Sequence, residues 1–169
     1  MEDLWKLIDI LEDDIKVTAK FMVENQRTGA LERSYVRAMF ASLEGILFVF
    51  RKEMISSSDF DKIFSKKERA FILERKYDKK DDVVKSEVMF PKLKESIKKN
   101  IKYYSQHRNI KGYQFTETKG WQDMLNSIKL RDALTHPKDI NDLQLSNSKI
   151  EMVLRAKIWF KDEVMGQFI

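Results

Sequence analysis

The chain has 169 residues, 43% of them hydrophobic, and balances 32 Lys+Arg against 27 Asp+Glu for a net charge of +5. That apolar content fills a sizeable core, and the charges are mixed in sign, which excludes a disordered chain and leads us to expect one domain over 1–169. Cysteine is absent, and only two histidines occur, which excludes disulfides, thiol chemistry, zinc ribbons and His-rich metal centres. Five Gly and two Pro are too few breakers for an antiparallel β architecture and favour helices. The start, Met1-Glu2-Asp3-Leu4-Trp5, is acidic where a signal peptide is basic. The longest apolar stretch, Met39 to Phe50, contains Glu44 and is too short to span a bilayer. No membrane partner is expected, and the reading is a soluble, cytoplasmic protein.

In chain order, Leu4, Ile8, Leu11, Ile15, Ala19 and Met22 recur in steps of three and four, which predicts a first helix over 2–26, closed at Thr28-Gly29. A second helix runs from about Leu31 to Ile55. On its wheel Val36, Met39, Phe40, Leu43, Ile46, Leu47 and Phe50 form one broad apolar arc. Ser34, Ala38, Ala41, Ser42 and Gly45 form a small-residue stripe suited to close helix approach, and Arg33, Arg37, Glu44 and Arg51 form a polar ridge. After the break at Ser56-Ser57-Ser58-Asp59, Ser65-Lys66-Lys67-Glu68 matches a capping box, predicting a helix to about Tyr77. Lys79-Lys80-Asp81-Asp82 reads as a loop or a helix end.

Pro91 is expected to open a helix that buries Leu93, Ile97, Ile101 and Tyr104. Residues 107–117 form a loop centred on Gly112. A helix from Trp121 to Thr135, with Trp121, Leu125, Ile128 and Asp132 in register, stops at Pro137, because the residue before proline is pushed out of the α region. Ser148-Lys149-Ile150-Glu151 reads as a second capping box before a last helix carrying Val153, Lys157, Phe160 and Val164 on one side. The fold class is all-α, a bundle of five or six helices.

Charge is placed unevenly. From Lys62 to Lys111 there are 16 Lys+Arg and 7 Asp+Glu, whereas the rest of the chain holds 16 and 20. A basic middle draws a polyanion such as RNA, or simply forms a solvated lysine face. If it binds RNA, Lys94, Lys98, Lys99 and Lys102 contact phosphates, and Tyr103, Tyr104 or Phe115 can stack on bases.

No phosphate loop, nucleophile elbow or dinucleotide fingerprint occurs, and no cofactor is expected. The acidic runs Glu12-Asp13-Asp14 and Asp81-Asp82 read as surface, because adjacent carboxylates on a helix diverge. His107 reads as a structural cation near a helix end. The other histidine closes Arg131-Asp132-Ala133-Leu134-Thr135-His136, just before Pro137. If the helix persists, Asp132 lies at i−4 from His136 and can orient its imidazole. Such a histidine can shuttle protons near neutral pH while Arg131 holds an anionic phosphate, a set suited to ribose-phosphate cleavage without a metal. The same residues also make an ordinary charged helix terminus.

Arg131 to His136 resembles the R-x4-6-H signature of the HEPN superfamily, helical proteins of which many are metal-independent ribonucleases. Gly120-Trp121-Gln122-Asp123 through Arg131, Thr135-His136-Pro137-Lys138, Asp142-Leu143 and the helix ending in Trp159-Phe160 are similar to uncharacterised bacterial HEPN-like proteins, and the Arg33–Glu44 segment resembles the early helix of that fold. The resemblance implies an HEPN-like bundle that forms a homodimer, joining two such motifs across a shared cleft. It also implies RNA cleavage in a toxin–antitoxin, phage-defence or stress setting, with an antitoxin protein as a possible partner. Arg131 carries over as phosphate clamp and His136 as general acid/base. Asp132 takes the polar position after the arginine, where Asn is common, and Glu44 and Arg37 are supporting polar residues. Some members bind RNA, nucleotides or protein partners without cleaving anything, so a binding module and a helical partner-binding protein are the alternatives.

Overall fold

The computed structural model describes residues 2–24, 28–110 and 114–168. Among them are seven α-helices and one two-stranded hairpin. The helices are α1 (Glu2–Glu24), α2 (Gly29–Ser56), α3 (Phe60–Ile63), α4 (Lys66–Ile72), α5 (Leu93–His107), α6 (Lys119–Thr135) and α7 (Asn147–Trp159), and strands β1 (Arg75–Asp78) and β2 (Val83–Val88) stand between α4 and α5. The mostly helical class agrees with the pattern of apolar residues, but the helix count exceeds the five or six expected. No described helix is long and apolar enough to cross a membrane.

The chain divides into two compact units, one of residues 1–46 with 114–169 and one of residues 47–113. The first is built from α1, most of α2, α6 and α7. Ile8 and Ile15 of α1 are buried, as are Val36, Met39, Phe40 and Leu43 of α2. Two members of the small-residue stripe, Ser42 and Gly45, meet α1, whereas Ser34 and Ala41 are exposed. A Cβ on Gly45 would stand 2.7 Å from Leu11 Cδ1, and Ser42 Oγ donates to Glu12 Oε1 at 2.7 Å. Trp121, Met124, Ile128 and Leu134 of α6 and Val153, Ala156 and Trp159 of α7 complete the core. Gly120 is required here, since a Cβ would lie only 2.0 Å from Trp159 Cγ. Two ion pairs pin α7, Arg155 Nε–Asp123 Oδ2 at 2.8 Å on α6 and Lys157 Nζ–Glu12 Oε2 at 3.1 Å on α1. Beyond Trp159 the backbone widens into a π-helical turn, Phe160–Val164.

The second unit closes around Phe50, Met54, Phe64, Phe71, Ile97, Ile101, Tyr103 and Tyr104. Phe50 and Tyr104 stack with ring centroids 3.9 Å apart, and Tyr103 meets Phe71 edge-on at 5.8 Å. Burial of such rings supplies roughly 1.5–3 kcal/mol each.

Several local expectations are corrected. The Ser65 capping box forms, Ser65 Oγ accepting from the Glu68 N–H and Ser65 N–H donating to Glu68 Oε2. The helix nevertheless ends at Ile72 rather than near Tyr77, because Glu74 turns left-handed at φ 54° and the chain enters β1. The segment Lys79-Lys80-Asp81-Asp82 is a hairpin turn. Asp78 Oδ1 accepts from the N–H groups of Lys80 and Asp81, Asp82 takes φ 50°, and aspartates do the work usually given to glycine. Tyr77 pairs with Val84 and Asp78 with Val83. α5 starts at Leu93, not at Pro91. The last helix is capped by Ser146, whose hydroxyl accepts from the Lys149 N–H, and not by Ser148. Thr28 caps the start of α2, its hydroxyl accepting from the Leu31 N–H, instead of closing α1. The loop centre at Gly112 lies outside the described residues.

Candidate functional site

Helix α6 ends as Pro137 requires. The Thr135 hydroxyl donates to Arg131 O at 2.8 Å, the His136 N–H donates to Asp132 O at 2.9 Å, and His136 itself leaves the helix at φ −129°, ψ 62°. The chain then folds into a short 3₁₀ turn, Ile140–Leu143, closed by a second box. Asp142 Oδ2 accepts from the Lys138 and Asp139 N–H groups, and Asp139 Oδ1 from the Asn141 N–H. Arg33 Nη1 of α2 donates to Leu143 O at 3.1 Å and ties this turn to α2.

Arg131 points from α6 toward α2. Its Nη2 donates to Glu44 Oε1 at 2.9 Å and its Nη1 to Asp132 Oδ1 at 3.2 Å, with the side chain 30% exposed. A guanidinium carries five N–H donors, so those left after these two bonds are open to a further acceptor. The two carboxylates offset its charge and orient its plane. Asp132 is exposed rather than in the buried register, and its carboxylate serves Arg131, not the imidazole of His136. His136 is exposed, and its side chain makes no hydrogen bond or ion pair among the described residues. Arg37 is also exposed and unbonded among them, two turns before Glu44 on α2. The structure thus joins Arg131, Asp132 and Glu44 by direct bonds and leaves His136 and Arg37 open to solvent.

On α5, Lys94, Lys98 and Lys102 form an exposed row at i, i+4, i+8 without ion pairs among the described residues. Lys99 lies off this row, bonded to Glu95 at 2.8 Å and set over the Phe71 ring at 4.7 Å. The aromatic residues expected to stack on bases do not form a platform. Tyr103, Tyr104 and Phe115 are all buried, at 6%, 2% and 5% exposure. His107 packs against the Tyr104 ring, and burial together with the Arg108 guanidinium holds it below its ordinary pKa against the opposing pull of Glu53.

The sequence pattern puts Glu12 on the surface with Asp13 and Asp14. Those two are exposed, but Glu12 is partly buried, accepting from Ser42 and Lys157. Burial pushes its carboxyl up. The Ser42 hydroxyl and the Lys157 ammonium, with Lys161 beyond, outweigh that and hold it below its ordinary value. Nothing in the sequence marks this cluster, since its members lie 30 and 145 residues apart. Among the described residues no three His, Asp or Glu side chains are grouped to hold a metal ion.

No family model, curated protein or solved structure matches this chain. The site is therefore read from its own chemistry.

Proposed function

We propose that this protein is a metal-independent endoribonuclease of HEPN type, acting in a toxin–antitoxin, phage-defence or stress setting. The observation that carries the reading is the half-exposed Arg131 guanidinium, held by Glu44 from α2 and with donors to spare, on the helix whose end presents a solvent-accessible His136. Arg131 is the phosphate clamp. His136 takes the proton from a ribose 2′-hydroxyl, O2′ attacks phosphorus, and the bond to the 5′-oxygen breaks. The imidazolium, or its counterpart in a second copy, returns a proton to the leaving oxygen. The products are a 2′,3′-cyclic phosphate and a 5′-hydroxyl, with atoms and protons in balance. Asp132 and Glu44 are positioning residues that fix the guanidinium plane, and Arg37 adds positive charge on the same helix as Glu44. Homodimerisation supplies the second histidine, and an antitoxin protein is the partner that silences the site.

The exposed Lys94, Lys98 and Lys102 row attracts the RNA backbone irrespective of sequence, so binding weakens as salt rises. The test is cleavage of end-labelled structured and unstructured RNA in EDTA by the wild type, His136→Ala and Arg131→Ala, with folding checked by circular dichroism. Cleavage by the wild type alone supports the reading, and cleavage retained by His136→Ala overturns it. A second reading, an RNA-binding module without catalysis, is favoured by one observation. Two carboxylates already neutralise Arg131, the group meant to hold the phosphate. Salt-sensitive RNA binding with no cleavage by folded wild type would select it.

A further inference from the structure

Helices α1, α2 and α7 and the π-helical turn after α7 line a cavity of about 650 Å³. This lies within the range of small-molecule sites and far above the voids left by ordinary packing, which rarely exceed one water. Ile8, Met39, Leu43 and Phe160 provide apolar wall, while Asp9, Lys16 and Asp162 are exposed lining residues. A polar corner less open to solvent than these interrupts the apolar wall. There Glu12 accepts from Ser42 Oγ at 2.7 Å and from Lys157 Nζ at 3.1 Å, and Ser42 is only 2% exposed. Each oxygen of Glu12 is thereby engaged. The Lys157 ammonium has three donors and one bond to Glu12, and Lys161 also acts on that carboxylate, so two ammonium groups face one carboxylate at this corner. Lys161, in the π-helical turn, adds a second ammonium to the lining and has no ion pair among the described residues.

The π-helical turn is an independent observation. Phe160, Lys161 and Asp162 all come from it, so a turn in which the α-helical ladder widens builds a wall of this cavity. Such turns interrupt a helix where a side chain must be re-aimed, commonly at a binding site. Apolar walls, one corner rich in donors and a local departure from regular backbone fit a ligand with an apolar body and a single anionic head.

We propose that this cavity binds a small amphipathic carboxylate, its apolar chain or ring along Ile8, Met39, Leu43 and Phe160 and its carboxylate at Lys157. The site is separate from Arg131 and His136, and the proposal stands whether or not the protein cleaves RNA.

Titration calorimetry with monomeric dodecanoate, dodecanol and dodecylammonium tests it, each below its micelle concentration. The expected result is saturable one-to-one binding of dodecanoate, at least tenfold tighter than either control. Glu12→Gln/Lys157→Gln, which leaves no buried unpaired charge, should abolish that preference while dodecanol still binds. Met39→Trp should fill the cavity and remove binding of all three, with circular dichroism verifying the fold. If Met39→Trp does not fold, Leu43→Phe serves the same purpose. No saturable binding by the wild type, equal affinity for the three head groups, or undiminished binding by a folded cavity-filling variant would overturn the proposal.

Discussion

Gly120→Ala adds one methyl group where α6 meets α7. The new Cβ would stand 2.0 Å from Trp159 Cγ, 2.1 Å from Cδ1 and 2.6 Å from Cβ, whereas ordinary contact begins near 3.4 Å. Relief requires a displacement of about 1.4 Å. Rotation about χ1 leaves the Trp159 Cβ in place, so rotamer change alone does not clear the clash. The two helices must therefore separate, which loosens the cluster that the indole forms with Phe115, Trp121 and Phe160 at centroid distances of 6.2, 6.1 and 6.4 Å. Overpacking of this kind costs at most about 3 kcal/mol in ordinary cases. Replacing a helical glycine by alanine returns up to ~1 kcal/mol. The net loss should be about 2 kcal/mol, which lowers Tm by roughly 4–8 °C for a chain of this size. Urea unfolding followed by far-UV circular dichroism and Trp fluorescence measures it. Gly45→Ala is the control, because its Cβ meets only the flexible ends of Leu11 and Ile8, at 2.7 and 3.3 Å, and should change stability by less than about 1 kcal/mol. Trp159→Leu should reduce the cost of Gly120→Ala by at least ~1 kcal/mol. Wild-type stability for Gly120→Ala, or the same cost in both backgrounds, would refute the close-approach argument.

Further outcomes follow from the site and the second unit. His136→Ala and Arg131→Ala should each reduce RNA cleavage in EDTA by at least two orders of magnitude without moving the urea midpoint. Glu44→Gln should alter stability by less than about 1 kcal/mol, as expected of an exposed pair, yet lower kcat more than it raises KM, and unchanged kinetics would remove Glu44 from the site. Replacing Lys94, Lys98 and Lys102 with Gln should reduce the slope of log affinity against log salt by about 2 for single-stranded RNA, read from fluorescence anisotropy at several salt concentrations. Burial, aided by Glu68 and Glu95, pushes the Tyr103 hydroxyl up to about 12. A raised folded value means its contribution to stability is complete below pH 10 and disappears as pH rises toward 12. Ultraviolet titration should show late tyrosinate formation that Phe71→Ala brings down, and a normal phenol titration for all five tyrosines would contradict the burial.

The sequence is most informative where a signal is local. Ser65 and Glu68 stand three residues apart and cap α4 reciprocally, as their spacing demands. The hairpin was hidden because its turn uses Asp78 and Asp82 in place of Gly or Asn, so a scarcity of glycine did not exclude a tight turn. Two serines compete to cap α7, and Ser146 rather than Ser148 takes the position, since both offer the same hydroxyl to nearby amides. At the candidate site, Arg131 and Glu44 are each visible from helix faces, but their bond spans 87 residues and exists only once α2 and α6 are packed. A bond from Asp132 to His136 at i−4 requires continuous helix. Pro137 turned His136 out of it, and the adjacent guanidinium claimed the carboxylate. The Glu12–Ser42–Lys157 cluster draws on three helices distant in sequence and leaves no local trace.

The division of the chain also orders its synthesis. Residues 47–113 are contiguous and can close as soon as they emerge, whereas residues 1–46 share a core with residues 114–169. Ribosomes add about 5–20 residues per second, so α1 waits on the order of 10 s for α7. Through that interval the apolar faces of α1 and α2 have each other but lack the cover of α6 and α7. The N-terminal helices should thus be the part of the nascent protein most open to chaperones and proteases, and a chain truncated near Gln114 should be cut by protease in its first 46 residues before its middle.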